Sequence, residues 1–419
     1  MMRLAAAWVV PIDRPPIRDG WVAVEGDRIV GVGQGNDPDA QALGPLRGLG
    51  HVALLPGLVN AHTHLELSWL RGRVPPANAF FSWVKQLIVT RGGRVERFDD
   101  PAVLAAAAGA AAEAIEFGTV AVGDISNSLA SVPVLAETGL DGLVFHELLG
   151  FKETTSALVD RTAEQRARAS VVGGTRVRVS IAPHAPYSVS PELFKAVHAA
   201  AAGSGEPRTS IHLGESPEEM ELLAHGTGEC ATMLRWVGAW RDDWVPPNTG
   251  PVEYLDDLGV IDEATLAIHG VQLSDDSLAR LRDRGATLVT CPRSNQWVGV
   301  GVPPVAAFYR SGVAVAVGTD SLASVDDLNL FQELKTMRWL APDVPARRLL
   351  ESATLIGARA LGLERELGSL AVGKRADIVQ VKVPDDVEDV EEYLVSGFPA
   401  SAIGWATRTR RSQEIGNRK

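Results

Sequence analysis

The chain has 419 residues, with 40 Lys and Arg set against 52 Asp and Glu, a formal charge of −12. With 46% hydrophobic and 22% charged residues it can bury a large core, which excludes an intrinsically disordered protein; its acidity argues against nucleic acid or an anionic membrane as the main partner. Two cysteines, Cys230 and Cys291, are too few for a disulfide scaffold or a Cys-rich zinc module and fit a reducing, cytoplasmic setting.

The opening MMRLAAAWVVP has one basic residue, a short apolar run and Pro11 in place of a small-x-small cleavage site, so a strand is expected rather than a signal peptide. No run reaches the roughly 18 apolar residues of a membrane-spanning helix. Residues 21–25 and 28–32 read as strands joined by a Gly26-Asp27 turn, and residues 376–383 (ADIVQVKV) as another β-rich run. Neither end holds enough strand to bury a core, so residues 1–53 and 363–419 are expected to combine into one small β-domain beside a central unit of residues 54–362.

In that unit β-like runs alternate with helical stretches: 54–60, 120–125, 142–147, 177–183, 209–213, 265–270, 286–291 and 313–318. Eight such runs match a (β/α)8 barrel, whose chemistry gathers at the C-terminal ends of its strands. The Ala-rich stretch 105–112 reads as a buried helix. A Trp-rich insertion, residues 228–254 with Trp236, Trp240 and Trp244, is expected either as a lid over the pocket or as helices packing on the barrel's outside. The tail with Arg410, Arg411, Arg418 and Lys419 reads as a solvated end, since the rest of the chain is acidic.

The nine histidines sort by position. His62 and His64 follow the first run; two residues apart on extended chain, they point the same way. His184 follows the fourth run, His212 lies near the end of the fifth, His269 ends the sixth and Asp320 follows the eighth, where a barrel brings strand ends to one mouth. Three imidazoles and a carboxylate, His62, His64, His212 and Asp320, suit one borderline divalent ion: zinc first, with iron or manganese as alternatives. Glu215, three residues beyond His212, can reach an ion-bound water and carry its proton; His269 is placed to orient the attacking oxygen. Glu218 and Glu219 read as first-turn helix glutamates. His51, His146, His198 and His225 lack the alignment and are expected in surface or core positions.

Together the motifs RIVGVG, PGLVNAHTH, APHAPYS, HLGE, IHG, CPRSN, VGTDS and GSLAVGKRADIV resemble the amidohydrolase superfamily, in its branch of single-metal aminohydrolases and chlorohydrolases, over nearly the whole chain. The resemblance implies a distorted (β/α)8 barrel with a small β-sandwich built from both termini, an α/β fold. It implies His62, His64, His212 and Asp320 as ligands, Glu215 as proton shuttle, His269 at the hydrolytic water and His184 at a nucleoside's ribose. Asp124, where relatives with two metals carry a bridging lysine, points to one ion. The implied reaction is hydrolytic deamination of a small molecule, with Asp320 accepting a proton from the attacking water and Glu215 protonating a ring nitrogen before ammonia leaves. Barrels of this branch commonly assemble as homodimers or larger. WATRTRRS stands where the family's closing strand and N-G-R turn are expected.

The segments HTHLELSWLRGRV and FFSWVKQLIVTR are similar to the aminodeoxyfutalosine deaminases of menaquinone biosynthesis. Their substrate is an adenosine-like nucleoside with a benzoate arm, for which Arg91, Arg293 and Lys152 are the cationic candidates. The alternatives are deamination of S-adenosylhomocysteine or methylthioadenosine, hydrolysis of another group on a nitrogen-rich ring, and a catalytically silent scaffold, against which the complete ligand set speaks.

Overall fold

The computed structural model describes residues 1–35 and 38–408; Arg410, Arg411, Arg418 and Lys419 lie outside the described residues. The chain opens with β1 (Met2–Val9), β2 (Ile17–Glu25), β3 (Arg28–Gln34), β4 (Leu46–Gly48) and β5 (Val52–Pro56). The next four strands are β6 (Leu58–Thr63), β7 (Thr119–Ser126), β8 (Asp141–Leu148) and β9 (Val177–Pro183). Then come β10 (Thr209–Leu213), β11 (Thr265–His269), β12 (Thr287–Thr290) and β13 (Ala314–Val317), and near the end β14 (Ile378–Lys382) and β15 (Ile403–Thr407). Helices that position the site are α1 (Phe80–Arg91), α2 (Pro101–Glu116), α3 (Pro217–His225), α4 (Gly228–Trp236), α5 (Pro292–Val298) and α6 (Leu330–Leu340).

Strands from both ends share one seven-stranded sheet in the order β15-β14-β5-β1-β2-β3, with β4 also on β1; this single hydrogen-bonded sheet is what the structure provides of the expected sandwich. The apolar run at 54–60 is not one strand. Val52–Pro56 pairs with β1 and β14, and Leu58–Thr63 pairs with β7. Both segments are buried throughout, so the hydrophobic pattern carries no break where the chain changes sheets. Gly57 is the crossing point: a Cβ there would stand 2.2 Å from the Val120 side chain.

The central strands form two parallel four-stranded sheets, β6-β7-β8-β9 and β10-β11-β12-β13. At one seam His212 N–H donates to His184 O at 2.9 Å; at the other the N–H groups of Thr319 and Asp320 donate to His62 O, each at 3.1 Å. Seven of the eight expected runs overlie strands β7 to β13 within a few residues. β7 and β8 are buried at every position, as parallel strands covered on both faces require. The Ala-rich helix is α2, started by Pro101 and by Asp100, whose side chain accepts the Ala102 and Val103 N–H groups. Among the described residues no helix is long and apolar enough to cross a membrane.

Candidate metal and catalytic site

The C-terminal ends of the central strands bring five of the predicted side chains together. His62 and His64 leave β6 on the same side, His212 lies on β10, His269 ends β11, and Asp320 follows β13. Ring centroids of His62 lie 5.0 Å from both His64 and His212 and 5.6 Å from His269. His269 and Asp320 adopt left-handed backbone, φ 74° and 61°, two of six non-glycine residues with positive φ among those described. Such conformations cost about 1–3 kcal/mol each and persist only where surrounding contacts enforce them. Here Asn60 Oδ1 accepts the Thr319 N–H at 3.1 Å, and Gly318 passes so close that a Cβ would lie 2.7 Å from His62 Cβ and carbonyl oxygen.

His62 is fully buried, and neither ring nitrogen has a hydrogen-bond partner. Its Nε2 lies 3.7 Å from Asp320 Oδ1; His64 Nε2 lies 3.5 Å from that oxygen and 3.3 Å from His212 Nε2. Burial holds the His64 pKa well below its usual value, and burial followed by the neighbouring His184 lowers that of His212 to about 3. The His64 and His212 rings are therefore neutral at physiological pH, and His212 Nδ1 is bonded to His184 O at 3.1 Å, which leaves its Nε2 turned to the cluster. Three imidazole nitrogens and a carboxylate gathered within about 4 Å of their neighbours fit one divalent cation. Asp320 is held ready for a cation: burial acts against ionisation, but the adjacent imidazoles of His62, His64 and His269 hold its carboxyl well below the usual range. Its other oxygen accepts Ser294 Oγ at 2.5 Å and Ser324 Oγ at 3.0 Å.

Glu215 Oε1 lies 3.4 Å from His269 Nε2, and burial, reinforced by the Asp320 charge, raises its pKa well above the ordinary carboxyl value. Burial thus pushes the Glu215 carboxyl up while the imidazoles hold that of Asp320 down, opposite tendencies that acid–base chemistry uses. Glu219 departs from the simple expectation for a first-turn residue. It is fully buried in α3 and folds back so that its oxygens accept the N–H groups of Gly214 and Glu215, each at 3.0 Å. Burial pushes its pKa to about 7.

Three more buried groups went unrecognised in the sequence. Glu66, two residues after His64, accepts Ser126 Oγ at 2.6 Å, Asn127 N–H at 2.7 Å and Ser128 Oγ at 2.5 Å. Asn127 Nδ2 in turn donates to Glu147 Oε2 at 3.0 Å, and Glu147 Oε1 stands 3.5 Å from His212 Nδ1, behind the ligand candidate. Asn295 Nδ2 lies 3.0 Å from His269 Nδ1. The only advance signal was a polar residue in apolar company close to a strand end. Asp124 is buried, accepts the Leu65 N–H at 2.7 Å and has its pKa raised by burial to about 8.

On the substrate side, His184 joins the cluster, its ring 4.9 Å from His212 and its Nδ1 2.6 Å from Ser188 Oγ. Two of the three cationic candidates are engaged elsewhere. Arg91 pairs with the buried Glu96, and Arg293 pairs with Asp327 at 2.8 Å and faces Glu333 at 3.6 Å. Arg293 borders an outer cleft with Gln296, Lys335 and Trp339, away from its neighbours Ser294 and Asn295. Lys152 is exposed beside Phe151, just past β8. In the Trp-rich insertion Trp240 stacks on Phe151 at 6.0 Å and Trp244 lies 5.2 Å from it, whereas Trp236 is 60% exposed. Trp240 and Trp244 therefore join an aromatic cluster with Tyr187 and with Phe80 and Phe81 at the start of α1, on the segments that follow the central strands. His146 is buried; His51 and His198 face Asp385 and Asp262.

Comparison with known proteins shows the family. Residues 53–400 match the model of the Amidohydrolase family. The chain is 32% identical to a 5-methylthioadenosine/S-adenosylhomocysteine deaminase of Moorella thermoacetica, over 97% of this chain and 95% of that protein. It is 31% identical to an aminodeoxyfutalosine deaminase of Deinococcus radiodurans, over 82% of this chain and 81% of that one. A zinc-bound adenosine deaminase structure from Xanthomonas campestris superposes with a TM-score of 0.79 at 28% identity, covering 96% of this chain and 90% of that one. By its sequence, its fold and the residues at its strand ends, the chain belongs to the amidohydrolase family, as a hydrolytic enzyme acting on C–N bonds.

Proposed function

We propose that the enzyme removes the exocyclic amino group of an adenine nucleoside by hydrolysis, at one divalent ion held by His62, His64, His212 and Asp320 in the mouth of a distorted (β/α)8 barrel formed from the two parallel sheets. The observation that carries this reading is the meeting of His62, His64, His212 and Asp320 at the strand ends, with Glu215 beside His269 at their side. When bound, the ion, zinc by preference, supplies Lewis-acid polarisation and lowers the pKa of a water. The chain's own residues do the rest. Asp320 takes a proton from the attacking oxygen, and His269 orients that oxygen. Glu215 gives its proton to the ring nitrogen beside the carbon attacked. As the C–N bond breaks, the proton held on Asp320 passes to the amino group, which leaves as ammonia, and the proton remaining on the new hydroxyl returns to Glu215, so that the C–O bond becomes a carbonyl and both carboxyl groups end as they began.

Within the class, 6-amino-6-deoxyfutalosine is the first choice, supported by the likeness of HTHLELSWLRGRV, by the relative of that name and by exposed Lys152 as a partner for a carboxylate arm. Methylthioadenosine or S-adenosylhomocysteine is the second. It is favoured by the engagement of Arg91 and Arg293 with acidic partners, and by the aromatic cluster around Phe151, which suits an apolar 5′ substituent. Ammonia release from purified enzyme against adenosine and these three nucleosides separates them. The first choice predicts the highest kcat/KM for 6-amino-6-deoxyfutalosine; a higher value for methylthioadenosine or S-adenosylhomocysteine selects the second, and no release from any of the four overturns both.

A further inference from the structure

Residues 69–97, in the segment that follows β6, hold six cations, Arg71, Arg73, Lys85, Arg91, Arg94 and Arg97, against one acid, Glu96, in a chain whose net charge is −12. Five of the six face a carboxylate; Arg73 has no acidic partner and no side-chain hydrogen bond among the described residues. Arg73 is exposed, and its guanidinium lies over the Trp69 ring, 5.5 Å from the centroid; that of Arg94 lies 4.9 Å from the same centroid. A guanidinium seated on an indole face keeps its hydrogen-bonding edge free, so Arg73 is oriented in advance for a planar anion. The indole N–H of Trp69 and the Nε–H of Arg94 are buried and find no acceptor among the described residues. Buried donors are normally paired, so this ring stands in an excess of donors and positive charge.

Trp69 belongs to the 3-10 helix Leu65–Leu70, which continues directly from His64, and packs on the aromatic cluster that holds Tyr187. The Tyr187 ring lies 5.5 Å from that of His184, so packed rings run from the imidazoles to the indole under Arg73. Val74, next to Arg73, is buried and accepts Trp297 Nε1–H at 3.3 Å, which ties this turn to α5, the helix whose Ser294 bonds Asp320.

We propose that Arg73, seated on Trp69, binds a carboxylate at the end of the substrate's 5′ substituent and is a specificity-determining residue. The proposal rests on the deaminase reading and deepens it: 6-amino-6-deoxyfutalosine and S-adenosylhomocysteine both carry such a carboxylate, and methylthioadenosine carries none. Of the two, the aromatic cluster beside Trp69 suits the flat apolar ring of a benzoate better than a zwitterionic arm. The field of an acidic protein opposes an anionic substrate, so discrimination falls to a local cation that no acid neutralises.

Ammonia release by the zinc-loaded enzyme is compared for 6-amino-6-deoxyfutalosine, S-adenosylhomocysteine and methylthioadenosine, in the wild type, Arg73→Gln, Arg73→Lys and Lys152→Gln. A hydrogen bond to a charged group contributes about 10–100-fold, so Arg73→Gln should lower kcat/KM for 6-amino-6-deoxyfutalosine by that factor relative to methylthioadenosine, through KM rather than kcat. Arg73→Lys keeps the charge without the planar fork and should fall in between, and Lys152→Gln should shift the ratio less than Arg73→Gln. A merely structural role lowers all substrates together and leaves the ratio unchanged. The ratio for S-adenosylhomocysteine falling in place of that for 6-amino-6-deoxyfutalosine keeps the carboxylate subsite and reassigns the arm. An unchanged ratio for both in Arg73→Gln, a larger shift in Lys152→Gln, or a wild type active on methylthioadenosine alone overturns the proposal. A wild type that releases ammonia from none of the three overturns the deaminase reading, and the subsite with it.

Discussion

Replacing Glu215 by Gln is the sharpest perturbation of the proposed chemistry. Gln keeps the volume of a side chain that is only 4% exposed, and the two bonds by which Glu219 holds the Gly214 and Glu215 N–H groups use backbone atoms, so the loop is preserved. What disappears is the dissociable proton that burial keeps on the carboxyl. Positioned general acid–base catalysis contributes about 10²–10⁴-fold, so kcat should fall by about 10³, or about 4 kcal/mol of barrier. Glu215 approaches His269 and is not one of the atoms that meet at Asp320, so metal content should stay at the wild-type level. Steady-state ammonia release with parallel metal analysis measures both. In the wild type, activity should decline as pH rises through the elevated Glu215 pKa, and the Glu215→Gln substitution should abolish that limb. Wild-type turnover in Glu215→Gln, or loss of the ion with the activity, refutes the reasoning.

Removing the carboxylate of Glu219 in Glu219→Ala leaves the Gly214 and Glu215 N–H groups without their acceptor, at a cost of about 1–3 kcal/mol each. The urea midpoint should fall accordingly, and an unchanged midpoint contradicts the assignment. Glu147→Ala removes the carboxylate behind His212 and should weaken metal affinity about 10-fold or more, read by chelator competition, while unaltered affinity means that His212 needs no such support. His212 and His146 should each subtract stability from the metal-free protein as pH falls below about 6.5, the unfolded histidine value. Burial lowers the pKa of His212 to about 3 and of His146 to about 4, so between these values and the unfolded one the unfolded chain binds more protons. At pH 5 each histidine costs about 2 kcal/mol relative to neutral pH. Buried Asp124 and Glu219, whose pKa values are raised, gain stability over the same range, so the difference from a variant is what tests the rings: His146→Gln should remove about 2 kcal/mol of the loss between pH 7 and pH 5, and a pH dependence identical to the wild type contradicts the buried, neutral state of His146.

Much of the central fold could be read from the chain because parallel strands covered on both faces appear as short apolar runs, and helix-length segments separate them. The run at 54–60 misled for the same reason: Leu55 and Leu58 are equally buried in different sheets, and periodicity is silent about which neighbour a strand takes. The histidines were legible because strand ends share one mouth, so position along each run predicts proximity. Their supports were not. Glu66 meets Asn127, and Asn295 meets His269, across 61 and 26 residues, and only the folded chain joins them. Arg91 and Arg293 looked available because a sequence shows the charge and hides its partner; Glu96 and Asp327 had already claimed them.

Turnover of an adenine nucleoside in heavy-oxygen water tests the central claim most directly. The account predicts one ammonia released per nucleoside consumed, with the glycosidic bond intact and one solvent oxygen fixed on the purine carbon that lost nitrogen. Free adenine as product, or a deaminated nucleoside without solvent oxygen at that carbon, would contradict it.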